Sequence, residues 1–358
     1  MTDRRTPGSR AATATRFASP ALRWSLTGNV ALVLATAFLL ALVLTGPPTQ
    51  APAETANAPG AEALDRDGEA VDEDPPGSLE ALRDVAWFIP DTDDARYDMP
   101  RGYEYGCEQN QEDAEALRCD FGDPDGEITV AMVGDSKILQ WQSAVATLAR
   151  ENSWRVRSYT KSNCGLHAGL QTNHGEPYLN CRAWNEDVLT DLLADPPDVV
   201  LVSNYVNTAL DISEELAETQ AAMVSALATS WRQLEEAGSA VVVILDNPSP
   251  GEQTVYECVA AHLNDLRPCA FDRADGIARS GQPAQLAAAD EVPGVRTVDL
   301  TDSICPEEQC VPVIGNVLVY RQGSHLTDSY VRTLTRPLGR QLVPIVAEST
   351  AQGGPEGG

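Results

Sequence analysis

Five short, mostly apolar runs rich in β-branched residues recur along the chain, at Ile128–Val133, Trp154–Tyr159, Asp198–Val202, Ala240–Leu245 and Val295–Leu300. Near-continuous apolar runs of this length predict strands buried on both faces. Between them lie stretches with helical periodicity. Helices are predicted at Ser136–Arg150, about Trp184–Leu193, about Gln282–Ala289, and from about Leu326 to Val346 with a bend at Pro337. Another is expected to start at Asp211, where Asp211 and Glu214 have capping-box spacing, and to stop at Gly238. Its face would carry Leu216, Met223, Leu227, Trp231 and Leu234. Strands alternating with helices predict an α/β protein, a three-layer αβα sandwich on a five-stranded parallel sheet. Such sheets bind ligands at the carboxyl ends of their strands, and the breaks holding Ser136, Asn204 and Asp246 all fall there.

The first strand ends in Gly134-Asp135-Ser136, and a helical pattern follows at once. A hydroxyl at a strand-to-helix turn stands beside backbone N–H groups that lack partners in the helix, a suitable place for a nucleophile. The alternative is an ordinary helix cap by Asp135 or Ser136.

Arg4, Arg5, Arg10, Arg16 and Arg23 precede an uncharged apolar run over 26–45. That run is long enough to span a bilayer, and its cationic flank predicts a cytoplasmic tail at 1–25 and a single-pass anchor at 26–45. A cleaved signal peptide is the alternative, with Ala56-Asn57-Ala58 as its cleavage site. Residues 46–78 are rich in Pro, Ala, Gly and acids and read as a disordered linker. The main domain would occupy 79–346, with 79–121 as an irregular entry segment, and 347–358 would be a disordered tail. An anchored domain of this kind lies outside the cytoplasm. Eight cysteines suit that compartment, and Cys107/Cys119, Cys164/Cys181, Cys258/Cys269 and Cys305/Cys310 form the nearest-neighbour pairing. Other connectivities remain open, as does zinc at Cys305 and Cys310, although no His accompanies them.

The formal net charge of −28 argues against nucleic acid and anionic lipid as partners. Only two lysines occur, Lys137 and Lys161, both just after predicted strands, where a cation can stabilise an oxyanion or hold an acidic glycan, the alternative being chance placement in an arginine-favouring chain. No Gly-rich phosphate loop follows any strand, and no cofactor or metal is called for.

A serine nucleophile needs a base, and His325, just ahead of the last helix, would return to the same sheet edge. His167, His174 and His262 read as surface residues. Oxyanion donors are expected from the Ser136 backbone, Gly165 and the Asn204 amide, the last directly after a buried strand.

Gly134-Asp135-Ser136, Gly165, Asn204 and His325, in that order, resemble the four blocks of the SGNH hydrolase superfamily. The likeness is closest to the extracytoplasmic SGNH domain of bacterial membrane O-acyltransferases of the acyltransferase-3 type. Thr160-Lys161-Ser162-Asn163-Cys164, Cys181-Arg182-Ala183-Trp184-Asn185, Asp299–Pro306 and Val313–Asn316 extend it, over about Asp98 to Val346. The resemblance implies a flavodoxin-like SGNH fold, Ser136 as nucleophile, His325 as base, and Ser136, Gly165 and Asn204 as the oxyanion hole. Asp135 is a supporting residue. Those domains usually carry Asp three residues before the His, where this chain has Gln322. A backbone carbonyl, Asp302 or Asp328 would then have to orient the imidazole. The implied function is an anchored esterase or O-acyltransferase acting on acylated, chiefly acetylated, envelope glycans. The family's multi-helix membrane domain is absent from this sequence, so transfer would call on a separate integral-membrane acyltransferase. The alternative, favoured by Gln322, is a catalytically lapsed binding or assembly module on the same fold.

Overall fold

The computed structural model describes residues 58–65, 74–83, 85–211, 213 and 216–352. The basic tail, the 26–45 anchor, most of the 46–78 linker, Glu214 and the residues after 352 lie outside that range. Among the described residues no helix is long and apolar enough to cross a membrane.

The strands are β1 (Glu108–Gln109), β2 (Arg118–Gly122), β3 (Ile128–Gly134), β4 (Trp154–Lys161), β5 (Val199–Ser203), β6 (Ala240–Ile244) and β7 (Arg296–Val298). They form one seven-stranded sheet in the order β1-β4-β3-β5-β6-β7, with β2 also on β4. The five predicted strands, β3 to β7, all run parallel, and their order places the switch point between β3 and β5. β1 and β2 are additions to the expected five. β2 runs antiparallel along β4, with Cys119 opposite Ser158, and β1 runs parallel with Glu108 opposite Thr160. The entry segment hid them because β1 has two residues and β2 is an edge strand whose Arg118 and Asp120 face solvent.

Residues of β3 alternate between two cores, as a strand covered on both faces must. Val130 and Met132 pack on one side with Trp141, Val145, Leu334 and Leu342. Ala131 and Val133 pack on the other with Trp184, Leu227, Trp231 and Ala284. The first layer contains α1 (Ser136–Leu139) and α2 (Gln142–Glu151). Across the sheet lie α3 (Leu179–Ala194), α4 (Gln220–Glu236) and α5 (Gln282–Asp290), and α6 (Asp328–Thr333) and α7 (Thr335–Gln352) complete the first layer.

Several boundaries moved. The first helix breaks at Gln140–Trp141. α4 starts nine residues after Asp211, which instead pairs with Ala217 in a small hairpin, and Thr219 caps it by accepting the Ala222 N–H at 3.1 Å. Met223, Leu227, Trp231 and Leu234 are buried as expected, whereas Leu216 lies outside the helix. The last helix divides at Leu334, so Pro337 falls in the first turn of α7, where its missing N–H costs nothing. α7 continues past Val346 to Gln352. Gly60–Leu64, placed in the linker by composition, forms a 3₁₀ turn on the domain. Its Gly60 N–H bonds the Gly315 carbonyl at 3.0 Å, and Asp65 pairs with Arg340 at 2.6 Å.

All four nearest-neighbour disulfides are formed. The cysteines that the zinc alternative needed, Cys305 and Cys310, are therefore bonded to each other. Cys258 and Cys269 lie near His262, but their sulfurs are likewise joined.

Candidate active site

The site begins where β3 ends. Gly134 has φ +146°, and a Cβ there would lie 2.3 Å from the Ser203 carbonyl oxygen, so only glycine keeps β3 and β5 paired to the end. The next residue, Asp135, is fully buried and caps α1. Its Oδ1 accepts the Lys137 N–H at 2.8 Å and its Oδ2 accepts the Tyr205 N–H at 2.8 Å. One carboxylate thus clamps the loop after β5 to the start of the helix that carries Ser136. Burial pushes its pKa up to about 7, against the pull of those two N–H groups. With Asp135 as the cap, the Ser136 hydroxyl is left for another partner, and it meets His325 Nε2 at 2.7 Å.

His325 sits in a tight turn. Its own N–H donates to the Gln322 carbonyl at 3.4 Å, Gly323 between them has φ +62°, and the Arg321 N–H closes back on the His325 carbonyl at 2.9 Å. His325 Nδ1 faces the same Gln322 carbonyl at 3.0 Å. A carbonyl only accepts, so Nδ1 carries the proton and Nε2 presents a lone pair to Ser136. That is the tautomer a general base needs. Neither acidic candidate serves the ring: Asp302 pairs with Arg273 at 2.5 Å and Asp328 with Arg332 at 2.6 Å. Burial and the Arg321 and Lys137 cations push the His325 pKa down to about 3, opposed by the Gln322 carbonyl.

Lys137 is the correction with the widest reach. Its ammonium does not reach toward a substrate; it is fully buried. It pairs with Asp246 at 2.9 Å and donates to Asn247 Oδ1 at 2.9 Å and the Ser324 carbonyl at 2.8 Å. Asn247 Nδ2 reaches the same Ser324 carbonyl at 2.9 Å, and Gln140 joins in through Asn247 Oδ1 at 3.0 Å and the Leu326 N–H at 3.1 Å. The residues on both sides of His325 are therefore tied to the helix that carries Ser136 and to the end of β6. Lys161 is structural too, with its ammonium on the Asn110 and Asp113 carbonyls and over the Tyr178 ring.

Gly165 and Asn204 lie against each other, outside the residues that line the cleft. A Cβ on Gly165 would lie 2.7 Å from the Asn204 Cβ. Asn204 follows Ser203, the register partner of Gly134, and precedes Tyr205, which is held by Asp135. Its Nδ2 donates to the Val206 carbonyl at 2.8 Å and its Oδ1 accepts from Gln285 at 3.2 Å. The two residues are neighbours, but the cleft at Ser136 is lined by others. That cleft encloses about 410 Å³, and its wall includes Gln111, Ser162, Asn163, Asn173 and Tyr205. Sequence reading missed this wall, because Gln111 belongs to the entry segment and nothing in the pattern ties it to a loop some fifty residues later. His167 is also not on the surface. It is buried, with Nε2 2.9 Å from Gln171 Oε1 and Nδ1 accepting the Gly169 N–H at 3.2 Å.

Among the solved structures that resemble the chain are two with assigned roles. The periplasmic domain of a lipopolysaccharide acetyltransferase of Salmonella ser. Paratyphi A is 16% identical with a TM-score of 0.48, over 67% of this chain and 95% of that one. A protein of Slackia heliotrinireducens assigned as an SGNH hydrolase is 17% identical with a TM-score of 0.41, over 60% of this chain and 98% of that one. No curated protein matches. Residues 106–340, which hold both Ser136 and His325, match the SGNH domain described as fused to AT3 domains, and the chain belongs to that family.

Proposed function

We propose that this chain is a serine esterase or O-acyltransferase acting on acyl esters, chiefly acetyl esters, of cell-envelope glycans. The observation that carries the proposal is the Ser136–His325 contact at 2.7 Å with Nδ1 against a carbonyl. Ser136 Oγ attacks the acyl carbonyl carbon while His325 Nε2 takes its proton. The tetrahedral oxyanion then collapses, the ester C–O bond breaks, and the Nε2 proton passes to the departing sugar oxygen. Water or a second sugar hydroxyl attacks the acyl-enzyme, gives its proton to His325, and Ser136 leaves as the hydroxyl. The oxyanion meets the Ser136 N–H, which as the first of α1 has no acceptor in the helix. The family resemblance assigns the Gly165 N–H and the Asn204 amide as the further donors, although neither residue is among those lining the cleft.

Four disulfides and the apolar run at 26–45 support a domain held outside the cytoplasm by a single-pass anchor with a cytoplasmic N-terminus. Transfer from a donor that crosses the membrane would then use a separate integral-membrane acyltransferase. The competing reading, a lapsed binding module, rests on Gln322. A backbone carbonyl that fixes the working tautomer weakens it.

A fluorophosphonate probe tests the proposal. Labelling of the wild type that disappears in Ser136→Ala and in His325→Gln is the expected result. A folded wild-type protein that takes no label refutes the catalytic reading.

A further inference from the structure

We propose that the cleft wall formed by Gln111, Ser162, Asn163 and Asn173, together with the Tyr205 ring, is a subsite for an uncharged, hydroxyl-rich sugar. The inference deepens the ester-chemistry reading of Ser136 and His325 and rests on it for the identity of the reacting group.

The wall is a chain of uncharged polar groups. Gln111 Nε2 donates to Ser162 Oγ at 3.3 Å, Asn173 Nδ2 to Gln111 Oε1 at 2.8 Å, and Asn163 Nδ2 to Asn173 Oδ1 at 2.9 Å. Each primary amide has two N–H groups and a carbonyl with two lone pairs. The chain uses one N–H of each amide, so a second N–H remains on all three side chains. Planar donors and acceptors in a row match the alternating hydroxyls of a pyranose.

The wall is also held in advance of any ligand, which lowers the ordering cost of binding. Ser162 N–H bonds the Gln109 carbonyl at 2.8 Å, and Tyr178 donates to the Ser162 carbonyl at 3.0 Å. Gln171 Nε2 holds the Asn163 carbonyl at 2.7 Å. The Cys107–Cys119 and Cys164–Cys181 bonds fasten the flanking segments, and Asn173 lies in a hairpin closed by His174 and Gly175. Tyr205, its N–H fixed on Asp135, is 39% exposed at the cleft. A half-exposed aromatic ring beside amides presents an apolar face for sugar C–H groups.

Charge decides the class of sugar. Asp135 and Lys137 border the cleft, but both side chains are fully buried and already partnered. The other basic groups at the cleft among the described residues are the His174 and His325 imidazoles, so in a protein of net charge −28 the cleft offers no lysine or arginine cation to an acidic glycan.

The test uses the full chain carrying Ser136→Ala, so that binding is scored without turnover. Its dissociation constants are measured for an acetylated xylo-oligosaccharide and an oligogalacturonate of equal length. The neutral oligosaccharide should bind, and Asn173→Leu and Tyr205→Ala should each weaken it about tenfold, the factor one ordinary hydrogen bond carries. The acidic one should bind more weakly throughout. Unchanged affinity in both variants, no binding of the neutral sugar, or equal affinity for the acidic one overturns the subsite. Unaltered melting temperatures exclude misfolding, and Tyr205→Ala guards the test because its ring is half-exposed. Failure of fluorophosphonate labelling in the wild type would refute the chemistry and leave this binding result to be judged by itself.

Discussion

His325 Nδ1 lies 3.0 Å from the carbonyl oxygen of Gln322, so the residue at the expected aspartate position orients the imidazole through its backbone. The side chain of Gln322 is exposed and takes no part in that contact. Gln322→Ala should therefore keep the rate of fluorophosphonate labelling within about threefold of the wild type, under ~1 kcal/mol of barrier. Gly323→Val should do more damage. It forces a β-branched residue to φ +62° and shifts the carbonyl itself, at ~1–2 kcal/mol of strain. A large loss in Gln322→Ala with little in Gly323→Val would show that the side chain, not the turn, supports the base.

Burial and two nearby cations set the titration of His325. With its pKa near 3, the His325 ring should stay neutral from about pH 7.5 down to about pH 4.5, a range in which an ordinary imidazole near ~6.5 gains a proton. Its ring resonance, identified by its loss in His325→Gln, should not move over that range in an NMR titration. Arg321→Gln removes one of the cations and should shift the titration upward. The linkage follows the same sign. A depressed histidine pKa means the unfolded chain takes up the proton first, so this group's contribution to stability is lost as pH falls from about 6.5 toward 3. Asp135 and Glu108, both raised to about 7, act the other way and add stability as pH falls from about 7 toward 4. A His325 resonance that titrates near 6.5 would contradict the burial described here.

Much of this was legible in the residues because it depends on local chemistry. Apolar runs marked five of the parallel strands, and Gly134-Asp135-Ser136 with a change of period marked the strand-to-helix turn that carries Ser136. Cysteine spacing favoured the disulfides that form. What escaped depends on pairings distant in sequence. The partners of Lys137 at Asn247 and Ser324 lie 110 and 187 residues away, and no pattern near Lys137 separates a buried tie from a solvent-facing cation. Gly60–Leu64 looked like linker because its buried residues are glycine and alanine, which carry little hydropathy. Asp211 carried a cap signature, but the hairpin pairing of Asp211 with Ala217 prevailed over it.

The buried Lys137–Asp246 pair separates stability from positioning. Lys137→Met leaves the Asp246 carboxylate buried without its cation, which costs about 3–5 kcal/mol when one partner of such a pair is removed. Adding Asp246→Leu removes the stranded charge, so the double variant should recover much of the lost melting temperature. Its labelling rate should stay low, because the Ser324 carbonyl beside His325 then keeps only Asn247 Nδ2, which itself loses the ammonium that held its Oδ1. Recovery of both stability and labelling in the double variant would reduce the pair to a structural feature with no bearing on the base.

The Cys164–Cys181 bond should matter for activity in a way that Cys258–Cys269 does not. It closes 17 residues and holds the loop after β4 against α3, where Asn185 Nδ2 also bonds the Gly165 carbonyl at 3.0 Å. Gly165 in turn backs Asn204, and Asn163 on the same loop faces the cleft. Replacing both cysteines by alanine should cost about 3 kcal/mol by the loop-closure argument, or roughly 6–12 °C in melting temperature for a domain of this size. Cys258–Cys269 closes 11 residues and should cost nearly as much stability. Its segment lies beyond Gly251, the one residue that the stretch between β6 and α5 gives to the cleft among the described residues. Fluorophosphonate labelling below both melting temperatures should therefore fall in the first double variant and hold in the second. Equal rates in the two would mean that the β4 loop keeps its place without the covalent tie, through Asn185 alone.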